Sequence, residues 1–557
     1  MKLIKMLLTP SLVAISIVLG AASTAFATNW YVSSDASWDP DGLGKTKTTV
    51  KAAVTAASAG DTVWVQDGFV CSNETMKSEH SLNDRLYIDK AITLRSESGY
   101  VDEANGRGAT IRGKYASEAA PCANSGAVRC IHLCAGATLF GFILEKGATS
   151  AYNHANYPSG GAIYGAGTVS NCVIRNCYGV TGGAIRTDGT TDLATCLHLE
   201  NCVITNNHAS GYGAAIGGRA VIRHCNISCN TTSSSEASGG NVRGGSNSAR
   251  SLMYDCIVSN NVYTYSTETA PGGGLRWVNA FDSQICKNSI EGYGGGAAYC
   301  ALSGCLISGN TAKSHGSSSN GSLGGGLYYC TATNCMITLN KTSGGGNSVG
   351  HGGGGYNCDF YNCQVISNTT KDCYYDDYRG GGGLYCTEAH VCYNTLFAGQ
   401  TMSVKGVAAV SSSDATKKVL LVNCTIAGNS SPSAVGGCYN AVLVNSIVYG
   451  NKGSQYGGTT VATNSCAKGL TDTAKYPGCI TTDPKFVGTG DCPYALAAKS
   501  PCRDKGFYDA ADLTWGWVTD AADPRSVDLA GNPRLAGKGL DMGCYEYVLP
   551  GFLLLVR

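Results

Sequence analysis

One phrase of hydrophobic and polar positions returns along the chain. It consists of a small residue, an apolar residue two places on, and an amide three places beyond that. It reads Asn201-Cys202-Val203-Ile204-Thr205-Asn206-Asn207, and it recurs at 334–340, 362–368 and 423–429. Aligned on this phrase, the first column runs Cys172, Cys202, Cys225, Cys256, Ser283, Cys305 and on to Ser446, and every member is small. The second runs Ile174, Ile204, Ile227, Val258 and on to Val448, all apolar. The third begins at Cys177 and continues Asn207, Asn230, Asn261 to Asn451, with Gln400 its other exception. Positions two apart share one face of a strand. An always-small column beside an always-apolar one predicts a packed interior. The Asn ends the strand where the chain turns, tolerates left-handed dihedrals, and can join its neighbours above and below in an amide ladder.

A glycine run precedes each phrase, as at Gly272 to Gly274, Gly324 to Gly326 and Gly380 to Gly383. It predicts a second corner with positive φ and close backbone approach. Copies spaced 22 to 32 residues apart, with short strands and two fixed corners, predict one coil each of a parallel β-helix. Glycine runs and strand-period alternation exclude helical solenoids, and propeller blades are longer. Eleven clear coils are expected, with less regular ones before Gly160. Variable stretches such as 231–247 and 340–350 fall between the Asn and the next glycine run, so insertions should emerge on one side.

The ends read differently. Lys2 and Lys5, the apolar stretch Leu7 to Leu19 and Ala25-Phe26-Ala27 predict a signal peptide over 1–27 and export. The apolar stretch is shorter than the ~20 residues a span requires, and no transmembrane span is expected. Residues 28–150 should form an N-terminal cap and first coils. Within them Trp30 starts a strand, a capped helix runs from Val50 to Ala57, and strands cover 62–66 and 91–95. The regular repeats occupy 151–455, a cap region follows at 456–547, and 548–557 is a tail, read either as a sorting signal or as a final packed strand.

Composition narrows the function. Glycine accounts for 75 of 557 residues, near twice the usual ~7%, and charged residues make up 14% against an ordinary ~25%. Lys plus Arg is 40 and Asp plus Glu is 39, a net charge of +1. That balance argues against nucleic acid as a partner. A hydrophobic content of 43% excludes disorder.

The repeats Gly160-Gly161-Ala162-Ile163, Gly182-Gly183-Ala184-Ile185 and Gly325-Gly326-Leu327, each leading to a strand that closes on Asn, resemble those of chlamydial polymorphic outer membrane proteins. More broadly, roughly residues 60 to 455 resemble right-handed parallel β-helix proteins of the pectin-lyase-like superfamily. The resemblance implies an all-β fold, a single-stranded right-handed parallel β-helix with an N-terminal cap and an irregular C-terminal cap region. Asp483-Pro484, Ser500-Pro501-Cys502-Arg503-Asp504, Asp528 to Arg534 and Asp541 to Tyr547 are similar to the terminal region of anchored bacterial β-helix proteins. Those proteins usually carry Ala where this chain has Cys502 and Cys544, which suggests that the two touch; they are read as a disulfide candidate.

Candidate chemistry is sparse. β-Helix enzymes act on acidic polysaccharides. A hydrolase needs paired carboxylates, and a lyase needs a basic residue, usually with Ca2+. His351, Asp376, Asp377 and Arg379 are the best cluster; Gly350-His351-Gly352 and Asp376-Asp377 each resemble a short polygalacturonase motif, in the reverse order. A solvated loop face explains them as well. The 28 cysteines lack metal-ligand spacing. Stacked parallel strands leave Cβ atoms too far apart for bridges, so the column is read as free thiols, with no cofactor. Tyr numbers 31 against 10 Phe; rings that stack on sugars and ordinary half-buried strand positions both account for it. The expected function is an exported, monomeric, adhesin-like protein presenting loops on a rigid rod to a polysaccharide or a host or neighbour-cell surface component. The alternative is a polysaccharide lyase or glycoside hydrolase.

Overall fold

A computed structural model of the chain describes residues 27–35, 37–77, 83–122, 126–149, 160–234, 239–265, 270–314, 321–344, 350–371, 380–402 and 406–548. These residues wind into a parallel β-helix with three sheets. One coil shows the plan. Ala220–Arg223 lies in the first sheet, Asn226–Ser228 in the second, and Thr231–Ser234 and then Val242–Arg243 in the third. Each strand pairs in parallel with its counterpart one coil on, as Ile222 with Met253 and Ile227 with Val258. The second sheet contains 15 strands, from Val70–Cys71 to Cys466–Ala467. Eleven of them carry the repeated phrase, three precede it and one follows. At ~4.8 Å per coil the rod rises about 70 Å.

Two corners flank the second sheet, and each turns on a single residue in the left-handed region. At the first, Asn201, His224 and Asp255 have φ of 51°, 50° and 48°; at the second, Asn206, Cys229 and Asn260 have 56°, 57° and 55°. The left-handed residue is therefore the one before each column member. This corrects the expectation for the third column, whose Asn residues do not turn the chain. They face inward instead: Asn207, Asn230 and Asn261 are almost wholly buried.

Their amides form a ladder. The backbone N–H and Nδ2 of Asn207 both donate to Oδ1 of Asn230 at 3.0 Å, and Nδ2 also donates to the carbonyl of Ile174. The pattern repeats from Asn230 to Asn261 to Asn288 to Asn310. Gln400 keeps its place by offering Oε1 to the N–H of Asn368. At the top, Gln455 folds back and accepts from both donors of Asn451, ending the column. No polar group of the buried amide column is left open, as burial demands.

The cysteine column is also a hydrogen-bond column. The N–H of Cys202 reaches Sγ of Cys225, and that of Cys225 reaches Sγ of Cys256, each at 3.4 Å; the N–H of Cys256 reaches Oγ of Ser283 at 3.1 Å. Ser and Thr substitute for Cys here because an acceptor of that length is required, as well as a small side chain. A second such column stands at the start of the first sheet, where Cys300 N–H reaches Cys330 and Cys330 N–H reaches Cys358. All described cysteines are free thiols. Burial holds the thiols of Cys300 and Cys358 well above their ordinary pKa.

The helix Val50–Ala56 closes the lower end. Thr49 caps it by accepting from the N–H of Ala52, and Val50, Ala53 and Val54 enter the core. Asn29–Val32 and Thr62–Val65 pair beside it, and Thr93–Ser96 continues that sheet. At the upper end Leu470 and Tyr476 cover the last coil. The chain from about 483 then folds back over the flank of the first and second sheets. First-corner asparagines hold it there. Asn394 Nδ2 donates to the carbonyls of Arg525 and Val527, and Asn445 exchanges hydrogen bonds with Phe507. The Asp528-to-Tyr547 series is locked from inside. Fully buried Arg534 pairs with Glu546 at 3.1 Å and donates to the carbonyls of Asp541 and Gly543.

Cys502 and Cys544 do not pair in this region. Cys502 packs with Ile447, Cys466, Leu496 and Met542, whereas Cys544 packs with Leu396, Ala398 and Tyr545. The disulfide reading is corrected accordingly. The two thiols belong to separate clusters on the flank of the rod, and each fills an apolar niche.

Four outcomes follow for chemical denaturation. Asn288→Ala strips the acceptor from both donors of Asn261 and should cost about 3 kcal/mol. Ile204→Ala should cost ~2–5 kcal/mol through its cavity. Cys202→Ser keeps the hydrogen bond and should cost no more than ~1–2 kcal/mol. In the flank, Arg534→Ala leaves Glu546 buried and unpaired and should cost ~3–5 kcal/mol. Equal losses for Asn288→Ala and Cys202→Ser would contradict the ladder.

Candidate functional site

The functional face lies on the third sheet, in the short strands that follow the glycine runs. Inward residues alternate there with outward ones. Ile185, Ile216, Val242, Leu275, Ala297 and Leu327 form the inward row. One residue on from each inward residue comes the outward row, in which Arg186, Gly217, Arg243, Arg276, Ala298, Tyr328, Tyr356 and Tyr385 succeed one another. Below them the row continues as Tyr164, His132 and Tyr87.

The next residue forms a third corner, and it carries rings where the backbone disfavours them. Trp277, Tyr299 and Tyr329 have φ of 56°, 54° and 49°. A left-handed conformation costs a bulky side chain roughly 1–2 kcal/mol that Gly avoids and Asn largely escapes. Asn357 and Asn440 fill this corner in other coils. Three aromatic residues in successive coils therefore keep a place that packing alone would give to Asn.

Rings and guanidinium groups alternate up the face. Arg243 lies over Tyr212 at 4.0 Å and over Trp277 at 4.7 Å; Arg276 lies over Trp277 at 4.2 Å and over Tyr299 at 5.9 Å. Arg186 faces Tyr212 from the other side at 5.7 Å. Stacking then passes from Tyr299 to Tyr329 and, in the adjacent row, from Tyr328 to Tyr356 at 5.4 Å. Tyr212, Trp277, Tyr299, Tyr328 and Tyr329 are half-buried, whereas Tyr356 and Tyr385 are buried. Burial, with the neighbouring Arg186 charge adding to it, lowers the pKa of Arg243; burial and Arg243 push Arg276 down to about 10. At neutral pH Arg276 remains cationic.

A cleft of about 260 Å³ opens at the lower end of this stack. Arg186, Tyr212, Arg219 and Arg243 line it, with Thr190, Thr191 and Ser246 at its rim. Its cause is local: Gly217 and Gly218 provide no side chain between Arg186 and Arg243 in the register. The arrangement offers ring edges, hydroxyls and cationic forks, groups whose chemistry suits a ring-shaped, oxygen-rich ligand.

The sequence-derived candidates fall elsewhere. His351 sits in the strand Gly350–His351 with its ring stacked on Tyr385 at 4.4 Å and 10°. Asp376, Asp377 and Arg379 lie outside the described residues. Among the described residues no group of three or more His, Cys, Asp or Glu is placed to hold a metal ion, and no helix is long and apolar enough to cross a membrane. The row of Arg and Tyr was open to detection through its fixed offset from the glycine runs, as in Gly274-Leu275-Arg276 and Gly326-Leu327-Tyr328.

Comparison with known proteins bears on the rod. No curated protein matches the chain. Among solved structures, one titled "Crystal structure of pectate lyase Pel9A" is similar at 10% identity, covering 93% of this chain and 96% of its own, with a TM-score of 0.26. A family model described as "Right handed beta helix region" matches residues 162–342, the stretch that contains Arg186, the cleft and the ring stack up to Tyr329. The rod on which this face is built is a right-handed parallel β-helix.

Proposed function

We propose that the protein is an exported, non-enzymatic binding protein that holds a glycan along the ring-bearing face of its third sheet, either secreted or displayed at a bacterial cell surface. The observation that supports this reading is the run Trp277, Tyr299, Tyr329 at left-handed corners. Residues that break a local backbone rule are candidates for function. Half-buried rings repeated at the coil spacing of ~4.8 Å give an elongated ligand a row of ring edges and hydroxyls to pack against. Export rests on the Lys2-to-Ala27 signal pattern, and the rod places the face at a distance from whatever anchors its ends.

Tyr329→Asn and Trp277→Asn separate function from stability. Both relieve the left-handed strain, as Asn357 already does one coil above Tyr329, so melting temperatures should hold or rise by a few degrees. Glycan affinity, read by affinity electrophoresis against a panel of neutral and acidic polysaccharides, should fall about tenfold, or ~1.4 kcal/mol. Unchanged affinity would sink the proposed binding face. The same panel, incubated with and without Ca2+, tests the lyase or hydrolase alternative: reproducible cleavage abolished by Asp376→Asn with Asp377→Asn would replace the binding reading with an enzymatic one.

A further inference from the structure

We propose that the cleft between Arg186 and Arg243 is a subsite for one acidic group, a carboxylate or a sulfate, carried by a sugar of the bound glycan. This deepens the glycan-binding reading and rests on it.

The argument starts from pairing. Elsewhere the chain matches its cations closely. Arg112 and Arg175 share Glu145, Arg175 also meets Glu103, Arg525 meets Asp523, and Arg129 meets Asp84. Among the described residues no carboxylate forms an ion pair with Arg186, Arg219 or Arg243. Three arginines thus line one cleft without a counter-charge, in a chain only 14% charged. On the rim loop, Asp188 accepts from the N–H of Thr190 and Asp192 from the N–H of Ala194. Arg219 is tied by Nε to the carbonyl of Arg250 at 3.1 Å, which fixes it at the edge.

Geometry gives the class of ligand. Arg243 is clamped between the Tyr212 and Trp277 rings, and its buried Nε has no hydrogen-bond partner. A stacked guanidinium keeps its donors in the ring-parallel plane, where they form the planar fork that matches an oxyanion. Arg186 stands two strands away across Gly217, on the order of 10 Å at ~4.8 Å per strand. The gap admits a sugar ring bearing its acid between two cations. Thr190, Thr191 and Ser246 supply hydroxyls for the remaining sugar oxygens, and Tyr212 lines the wall between the arginines. A bare phosphate or nucleotide would not use the row of rings that continues upward from Trp277 to Tyr329. A chain of sugars with an acid at one position uses both.

The test compares glycans of one backbone with and without the acid. Oligogalacturonate is set against its fully methyl-esterified form, and dextran sulfate against dextran. The wild-type protein should bind the acidic member of at least one pair about tenfold more tightly at low salt, and the preference should shrink as ionic strength rises. The pair that shows the preference identifies the oxyanion. Arg243→Gln and Arg186→Gln should each bring the ratio of acidic to neutral affinity most of the way towards one, whatever each does to the neutral member, with folding checked by circular dichroism. Arg243→Lys should recover only part of it, since a point charge lacks the fork. Tyr329→Asn should weaken both members alike. Equal binding of the two members in both pairs, or a preference that survives both arginine changes, overturns the acidic subsite and leaves the glycan-binding face standing. Absence of binding to every member overturns both.

Discussion

The buried amide column sets the terms for the rest of the molecule. From Asn230 to Asn310 each Asn takes two hydrogen bonds from the coil below, gives two to the coil above and one back to a carbonyl of the coil below. A coil that slipped by one residue would bury a donor and an acceptor without partners on both sides. The cost of an unsatisfied buried polar group is about 1–3 kcal/mol, so a single slip outweighs what one apolar side chain gains by burial. The ladder therefore fixes register at the second corner. With that point fixed, the strands of the first and second sheets have nearly constant length. Variation falls in the stretch between the Asn and the next glycine run and, in some coils, between the third and first sheets, as at 188–196 and 244–250. The left-handed residue just before each Asn is the other half of the device, because it turns the chain while the Asn itself stays extended enough to point inward.

What could be read from the sequence follows from this. Cys202, Ile204 and Asn207 recur at fixed offsets because the ladder forbids changes between them, and a fixed offset is visible without coordinates. The N-terminal helix was legible too, since Thr49 and the Ala–Val pattern up to Ala56 are local signals. The hydrogen-bonding role of the cysteine column was not, although Ser283, Thr395 and Ser446 hinted at it: small size alone would have admitted Ala or Gly. The ring-bearing corner was harder still. Its members lie beyond an insertion of variable length, so Trp277, Tyr299 and Tyr329 align only when counted from the glycine runs. Cys502 and Cys544 misled because two unusual residues in one irregular region suggest a contact, whereas each there answers to a different strand of the second sheet. His351, judged by a tripeptide, proved to stack on a tyrosine.

The division of labour among the three sheets comes from what covers them. The folded-back C-terminal region lies over the first and second sheets. It is held by outward amides of Asn394 and Asn445 and seats Trp517 against Tyr393 at 5.6 Å. Those asparagines are first-corner residues, left-handed for the sake of the turn, and their side chains are free to serve the flank. At the third corner the corresponding position carries rings, and among the described residues nothing from the C-terminal region reaches it. The same backbone requirement is thus met by Asn where the chain needs to bind itself and by Trp or Tyr where it presents a face to the outside.

Charge completes the picture. A chain this poor in ionisable residues gains little from surface ion pairs, and most of its arginines are already tied to carboxylates or carbonyls. Stacking Arg243 and Arg276 between rings keeps them partly buried, lowers their affinity for protons, and still leaves them charged. That arrangement has a desolvation cost which the rings offset only in part. A protein selected for stability alone would place a carboxylate beside Arg243, as it does for Arg175 and Arg534. Leaving the Arg243 fork unmatched next to a cleft bordered by hydroxyls makes sense if the missing counter-charge arrives with a ligand. The rigid register of the ladder then holds cations and rings at fixed heights, so that a long ligand meets them without reordering the rod.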